Sequence, residues 1–316
     1  MRAIQIMAPG DARVVDVPEP EAAAGEVLVK INACVTCPHW DTTLFRGIDI
    51  FDRPGHPEYP IPVGFPGHEV SGEVVAAGPD VRDLAVGDRV ATLETAGTTL
   101  PGFYAEYIAR PEGTVTRIPD NITYAAGASM EMGRHVAAHI RVIEVCGLRT
   151  GVVGLGPAGL MALQMFRAMG ASEVVAIDVL PSRLELAAEL GATETVDASA
   201  GADATSLAAQ PLAASVDCTG TEAGMQLALD HTHGPVVAFG VTHGNPSFST
   251  RHWLQRTWIP RRESAGREDT EFILDLWSRD LLNTERFISA RLPFERYAEG
   301  VQMLLDRAAI RVLFHP

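Results

Sequence analysis

The sequence predicts an α/β protein in which a compact β-rich part precedes a doubly wound parallel sheet. Three observations predict it. Short alternating strands broken by Gly and Pro turns fill the N-terminal part. The run Gly154-Leu155-Gly156-Pro157-Ala158-Gly159 joins an apolar strand to a helix. Beyond it, strand and helix patterns alternate.

Each element follows from local pattern. Arg13-Val14-Val15-Asp16-Val17 and Glu26-Val27-Leu28-Val29-Lys30-Ile31 alternate with the period of a strand. Residues 69–77 form a further apolar strand, closed by Gly78-Pro79-Asp80, and Gly87-Asp88-Arg89-Val90 turns into another. From 123 to 143 the apolar spacing becomes helical, with no internal proline. Strand 150–153, the glycine turn, a helix over 157–169 and strand 173–177 come next. A helix then starts at Pro181, with proline in its tolerated first turn. Residues 215–217 and 235–239 read as later strands of the same sheet, and the Ala/Ser-rich stretch 198–214 as a loop-helix. From 266 onward the pattern is a helix, a strand at 287–292, a helix over 294–307 and a last strand at 310–314.

Composition narrows the function. The chain has 316 residues, 47% hydrophobic and 21% charged, which suits two globular domains with buried cores. Forty acidic against twenty-five basic residues give a formal charge of −15, so no nucleic acid partner is expected. The start, MRAIQIMAPG, lacks the apolar core of a signal peptide. The most apolar later stretch, 152–166, is interrupted by glycines and Pro157 and is too short to span a bilayer. A cytoplasmic protein with no membrane partner is expected. Four cysteines, at 34, 37, 146 and 218, do not make a disulfide framework in a chain of this length.

The glycine run has the context of a dinucleotide turn: it follows an apolar strand, opens a helix, and precedes Asp178 by nineteen residues counted from Gly159. Gly154 makes the tight turn, Gly156 lets the backbone approach a pyrophosphate at the helix start formed by Pro157 and Ala158, and Gly159 permits close helix–sheet packing. Asp178 accepts from both ribose hydroxyls and repels a 2′-phosphate, favouring NAD; Arg183 stands near enough in sequence to weaken that preference.

Cys37, His68, Glu69 and Glu131 are candidate metal ligands. A soft thiolate, an imidazole and a carboxylate suit a catalytic zinc with one open position, and a thiolate with one carboxylate balances the charge of the ion. Cys34 and Cys37 also form a CxxC, but no second pair accompanies them, and Cys34 reads as a small buried residue.

These residues resemble the zinc-type medium-chain alcohol and polyol dehydrogenase family. The landmarks are Gly25-Glu26-Val27-Leu28-Val29, Cys37, Gly67-His68-Glu69, Gly87-Asp88-Arg89-Val90, the glycine turn, Asp178, Leu190-Gly191-Ala192, Asp217-Cys218-Thr219-Gly220 and the tail Ile310-Arg311-Val312-Leu313-Phe314. The resemblance implies a GroES-like β-rich catalytic domain over 1–131 and 267–316, with a Rossmann domain over 132–266. It implies that Cys37 and His68 are the first two zinc ligands, that Glu69 approaches the metal, and that Glu131 occupies the third ligand's place as in sorbitol- and threonine-type enzymes. It places His135 near the nicotinamide, Thr219 on the cofactor side, and Arg311 where a basic residue meets the pyrophosphate. A dimer or tetramer of this chain is also implied.

Three departures from the family pattern matter. Cys37-Pro38-His39-Trp40-Asp41 replaces the usual Cys-Gly-Ser/Thr-Asp, so His39 stands where a hydroxyl begins the proton relay. A surface histidine is the alternative. Asp41 falls one place late for the aspartate that orients the histidine ligand. No cysteine lies between Asp88 and Glu131, so a catalytic zinc without a structural one is expected. The segment 45–66, with Asp49, Asp52, His56, Glu58 and Tyr59, is longer than usual and reads equally as a polar wall over the substrate or a solvated loop.

The expected activity is hydride transfer between NAD and the hydroxyl of a small alcohol, polyol or sugar-type substrate, or its carbonyl. Two alternatives stand beside it: a zinc-free NAD(P)H-dependent reductase of the same superfamily, and a non-catalytic dinucleotide-binding protein on a borrowed fold.

Overall fold

The structure, a computed structural model, describes residues 1–50, 57–94, 101–199, 205–255, 257–260 and 265–316. Asp52 and His56 of the 45–66 segment lie outside the described residues. The chain divides into two compact units, Met1–Met132 with Thr284–Pro316, and Gly133–Asn283.

In chain order the first unit holds β1 (Arg2–Ala8), β2 (Asp11–Asp16), β3 (Glu26–Val35), helix α1 (Pro38–Phe45), β4 (Glu69–Ala77), β5 (Arg89–Thr92), β6 (Tyr107–Pro111), β7 (Val115–Arg117) and the short α2 (Tyr124–Gly127). Helix α3 (Met130–Ile140) carries the chain into the second unit. There follow β8 (Arg149–Val153), α4 (Pro157–Ala168), β9 (Glu173–Asp178), α5 (Pro181–Glu189), β10 (Glu194–Asp197), α6 (Thr205–Ala209) and β11 (Ala214–Asp217). Helix α7 (Glu222–His231), β12 (Pro235–Ala238), α8 (Thr250–Gln255), β13 (Thr257–Ile259) and α9 (Arg267–Ser278) complete that unit. The first unit resumes with β14 (Ile288–Pro293), α10 (Tyr297–Leu305) and β15 (Arg311–His315).

The first unit is built on β3. It pairs antiparallel with β4, β6 and β15, so it is central, and all but three of its ten residues are buried. The sheet runs β14-β15-β3-β4-β5-β7. Its core gathers Ile4, Val29, Val70, Phe103, Tyr104, Phe294 and Phe314. Fully burying each large apolar side chain of this kind contributes roughly 1.5–3 kcal/mol. Cys34 is fully buried within β3, as expected of a small apolar side chain.

The second unit is the doubly wound sheet, six parallel strands in the order β10-β9-β8-β11-β12-β13. The path moves one way from β8 through β9 to β10, then the other way through β11, so the turn after β8 opens at the switch point where such sheets bind ligands. Helix α4 packs on this sheet with Pro157 through Phe166 all buried.

The helical spacing over 123–143 is realised as two helices. Ser129 N bonds back to Ala126 O, a three-residue turn that breaks the α-helical ladder between α2 and α3. Helix α9, which resemblance assigns to the catalytic part, clusters with the second unit. Its Asp269 pairs with Arg141, and Ile273 packs against Gly133. Strands β1, β6, β7, β10 and β13 add to those legible in sequence.

Candidate functional site

Strand register brings the ligand candidates together. Val35, the last residue of β3, lies opposite Glu69, the first of β4, and Leu313 of β15 lies opposite Val35 from the other side. Residues just past Val35 therefore meet residues just before Val70 and Leu313. Cys37 follows as the N-cap of α1, with Pro38 at the first helical position. Sulfur, ring nitrogen and carboxylate oxygen of Cys37, His68 and Glu69 lie within 4.8 Å of one another. Glu131, the second residue of α3, joins them: its Oε2 is 3.9 Å from His68 Nε2, the same separation as Glu69 Oε1.

The histidine is held from behind. His68 Nδ1 donates to Pro66 O at 2.7 Å, which leaves Nε2 as the nitrogen facing the carboxylates. The Trp40 ring packs on it, centroids 4.5 Å apart. Asp41 does not orient the histidine. Its carboxylate accepts from Cys37 N, Tyr104 OH and Tyr297 OH, because its late position turns it beneath the start of α1.

Arg311 also departs from the role that resemblance implies. It is fully buried, and its donors are spent inside the first unit: Nη2 pairs with Glu69 Oε2, Nε donates to Thr36 O at 2.9 Å and Nη1 to Ser129 Oγ at 3.0 Å. The pairing of β15 with β3 points position 311 into the core, so the guanidinium serves as counter-ion to Glu69 and not as a pyrophosphate contact.

Burial sets the electrostatics. It pushes the Cys37 thiol well above its usual range, with the neighbouring Glu69 charge adding to the rise. It also raises Glu69, against the pull of Arg311, and lifts Asp41 to about 6 against its hydrogen-bond donors. Ionised, Cys37, Glu69 and Glu131 carry three negative charges against one positive on Arg311. Across these four groups the deficit matches one divalent cation, and the nearby Asp41 carboxylate is answered by its three hydrogen-bond donors.

Tetrahedral zinc with bonds of about 2.0–2.3 Å holds its ligand atoms roughly 3.3–3.8 Å apart. The observed spacings, 3.9 Å between imidazole and each carboxylate and at most 4.8 Å within the cluster, reach that with a contraction of about 1.5 Å or less. The donor set, its burial and its charge fit the ion. Among the described residues, no other His/Cys/Asp/Glu group forms such a cluster.

The second unit holds the glycine turn. Gly154 has φ +87°, a left-handed conformation that L side chains resist, and a Cβ there would meet Thr219 Cγ2 at 2.6 Å. A Cβ on Gly159 would stand 1.8 Å from Gly154 O, so α4 crosses the turn closer than any side chain allows. A Cβ on Gly156 would meet nothing within 4 Å: the space beside it is open. Asp178 ends β9 and accepts from Leu155 N at 2.7 Å, Val179 N at 2.7 Å and Leu180 N at 3.0 Å. Arg183 Nη1 donates to Leu155 O in the same turn. Thr219 is anchored to Asp217 through both its amide and its hydroxyl.

Two sequence families meet in this chain. Residues 23–120 match the alcohol dehydrogenase GroES-like domain, and residues 157–266 match the zinc-binding dehydrogenase family. The chain belongs to the zinc-type medium-chain dehydrogenases. Among the relatives of this dehydrogenase, the L-threonine 3-dehydrogenase of Alteromonas mediterranea is 32% identical over 206 residues, 58% of this chain and 59% of that protein. The chain thus matches less than two thirds of that relative's length. The sorbitol dehydrogenase of Bombyx mori is 27% identical, over 96% of this chain and 95% of that one. In fold, the chain is similar to 2R,3R-butanediol dehydrogenase from Bacillus subtilis, with TM-score 0.86 and 24% identity over 100% of this chain and 99% of that one. Galactitol-1-phosphate dehydrogenase from Escherichia coli gives TM-score 0.86 and 24% identity over the whole of both chains. Identity at that level speaks for the fold alone.

Sequence missed Tyr104, Tyr297, Ser129, Thr36 and the Pro66 carbonyl. None carries a local signal; each reaches the ligand residues only through packing. His39 and Trp40 stand in the first turn of α1, with His39 half-buried. His135 lies half-buried in α3 within the second unit.

Proposed function

We propose that this chain is an NAD-dependent zinc dehydrogenase that moves hydride between the cofactor and a hydroxyl of a small alcohol, polyol or sugar-type substrate, or its carbonyl. The convergence of Cys37, His68 and two carboxylates on one buried point carries this reading. It speaks against the zinc-free reductase, which has no use for such a cluster.

Cys37, His68 and Glu131 hold the ion in this reading. Glu69 stands beside them with its charge answered by Arg311. When bound, zinc makes a substrate hydroxyl more acidic and the nicotinamide supplies the hydride acceptor. His39, two residues after Cys37, takes the hydroxyl proton. Asp178 and the open face at Gly156 hold the adenosine side of the cofactor, with His135 and Thr219 nearer the nicotinamide, and Asp178 favours NAD over NADP. Catalytic residues come from the first unit and cofactor residues from the second. The expected setting is one zinc per chain, without a structural zinc, in a cytoplasmic homo-oligomer.

The test is metal analysis of the purified chain beside a panel of alcohols, polyols and sugars with NAD and NADP. About one zinc per chain and NAD-linked oxidation of a panel member are expected. A chain that takes up no zinc, or binds zinc and NAD yet oxidises nothing, overturns the reading. His39→Ala should lower turnover and alter its pH profile with zinc content intact; unchanged turnover removes His39 from the relay.

A further inference from the structure

We infer that Asp41 is a positioning residue for Cys37, and that Tyr104 and Tyr297 hold its carboxylate in place for that task. The inference rests on the metal reading above and concerns how one ligand is aimed.

Cys37 sits at the junction of β3 and α1, where backbone direction changes. Such a junction leaves the sulfur's position open unless the peptide is pinned. Asp41 pins it from both sides. Its amide donates to Cys37 O at 3.0 Å, the first bond of the helix. Its side chain turns back, and Oδ2 accepts from Cys37 N at 2.9 Å. With both backbone groups of Cys37 held by one residue, rotation about the Cys37 Cα–Cβ bond remains to move the sulfur, and the Trp40 amide bears on that.

The carboxylate is held in its turn. Tyr104 OH donates to it at 2.9 Å, and Tyr297 OH at 2.6 Å. The two tyrosines come from positions 63 and 256 residues away from Asp41. Their rings pack on each other, centroids 5.5 Å apart, and both pack on Phe314. Asp41 is 0% exposed. An acidic residue placed only to favour a helix start works from the exposed first turn and needs no such surroundings. Burying a carboxylate is costly without partners, and here three donors fix its direction as well as offset that cost.

The other ligand is aimed by a separate device, since His68 Nδ1 is engaged by Pro66 O. Sulfur and imidazole are thus oriented independently, one through a buried carboxylate and one through a backbone carbonyl.

The experiment titrates zinc, against a chelator, and cobalt, by its thiolate charge-transfer band, into the metal-free full chain, the Asp41→Asn variant and the Tyr297→Phe variant. Asp41→Asn should weaken zinc affinity by about 10–100-fold and shift the cobalt band, as loss of a ligand's supporting partner does elsewhere. Tyr297→Phe removes one oxygen and should move both readings the same way by less. It decides the matter if Asp41→Asn does not fold. Variants that melt earlier but bind zinc within twofold of the unaltered chain, with the cobalt band unmoved, overturn the inference and leave the metal reading standing. An unaltered chain that takes up neither metal removes both.

Discussion

Around Cys37, proton and metal compete for the same atoms. Burial raises the Cys37 thiol above its ordinary range, so the metal-free sulfur resists ionising. A divalent ion needs the thiolate, so its uptake must release that proton. The sign follows: zinc affinity rises with pH while the thiol still carries its proton. Calorimetry in buffers of different ionisation enthalpy should show proton release, and an affinity indifferent to pH between about 6 and 8 would contradict the raised thiol. The candidate ligand types were legible in sequence, because few residue combinations suit zinc. The duties of Asp41 and Arg311 were not. Resemblance offered a histidine partner for Asp41, although its spacing from Cys37 is one place late, and only the packing of Tyr104 and Tyr297 shows that it faces elsewhere.

The glycine turn separates two causes of glycine use within one element. Gly159→Ala sets a Cβ against Gly154 O and must displace α4, a change of overpacking type that costs about 1–3 kcal/mol or more. Gly156→Ala meets no atom of the chain and keeps a φ of −69°, so folding stability should change by no more than about 0.5 kcal/mol. In the proposed reading its methyl group instead occupies space left for the pyrophosphate. Urea unfolding and NADH titration of the two variants check this. Gly156→Ala should unfold like the unaltered chain yet bind NADH at least about tenfold more weakly, the equivalent of about 1.4 kcal/mol. Undiminished NADH binding would remove Gly156 from the cofactor face. Strands with clean alternation were legible, as were helices with caps or prolines. Three-residue β13, whose Thr257 and Trp258 are exposed, carries too little pattern to register.

Two units with separate cores should answer separately to their ligands. NADH at a hundredfold over its Kd contributes about 2.7 kcal/mol to whatever it binds, and by the proposed assignment that is the unit with β8 and α4. Hydrogen exchange resolved by segment should show NADH protecting 149–178, and zinc protecting the segments around Cys37 and His68. NADH protection confined to the first unit would overturn the assignment. A single unfolding free energy for the whole chain is the wrong quantity to seek, since two domains with different ligands need not unfold together. The family and the order of its two sequence modules were legible at this scale. The allotment of α9 was not, because it depends on Asp269 meeting Arg141 across 128 positions.

By itself the sequence determined the fold class, the glycine turn after a strand and the residue types of the candidate ligand set. Each is written in short-range pattern: alternation, helical period, a glycine spacing, a rare triplet beside one cysteine. Tertiary structure alone decided that Arg311 answers Glu69, that His68 leans on a carbonyl, and that two distant tyrosines grip Asp41. Buried polar groups must find partners wherever the fold brings them, and contacts spanning 256 residues leave no trace in a local window.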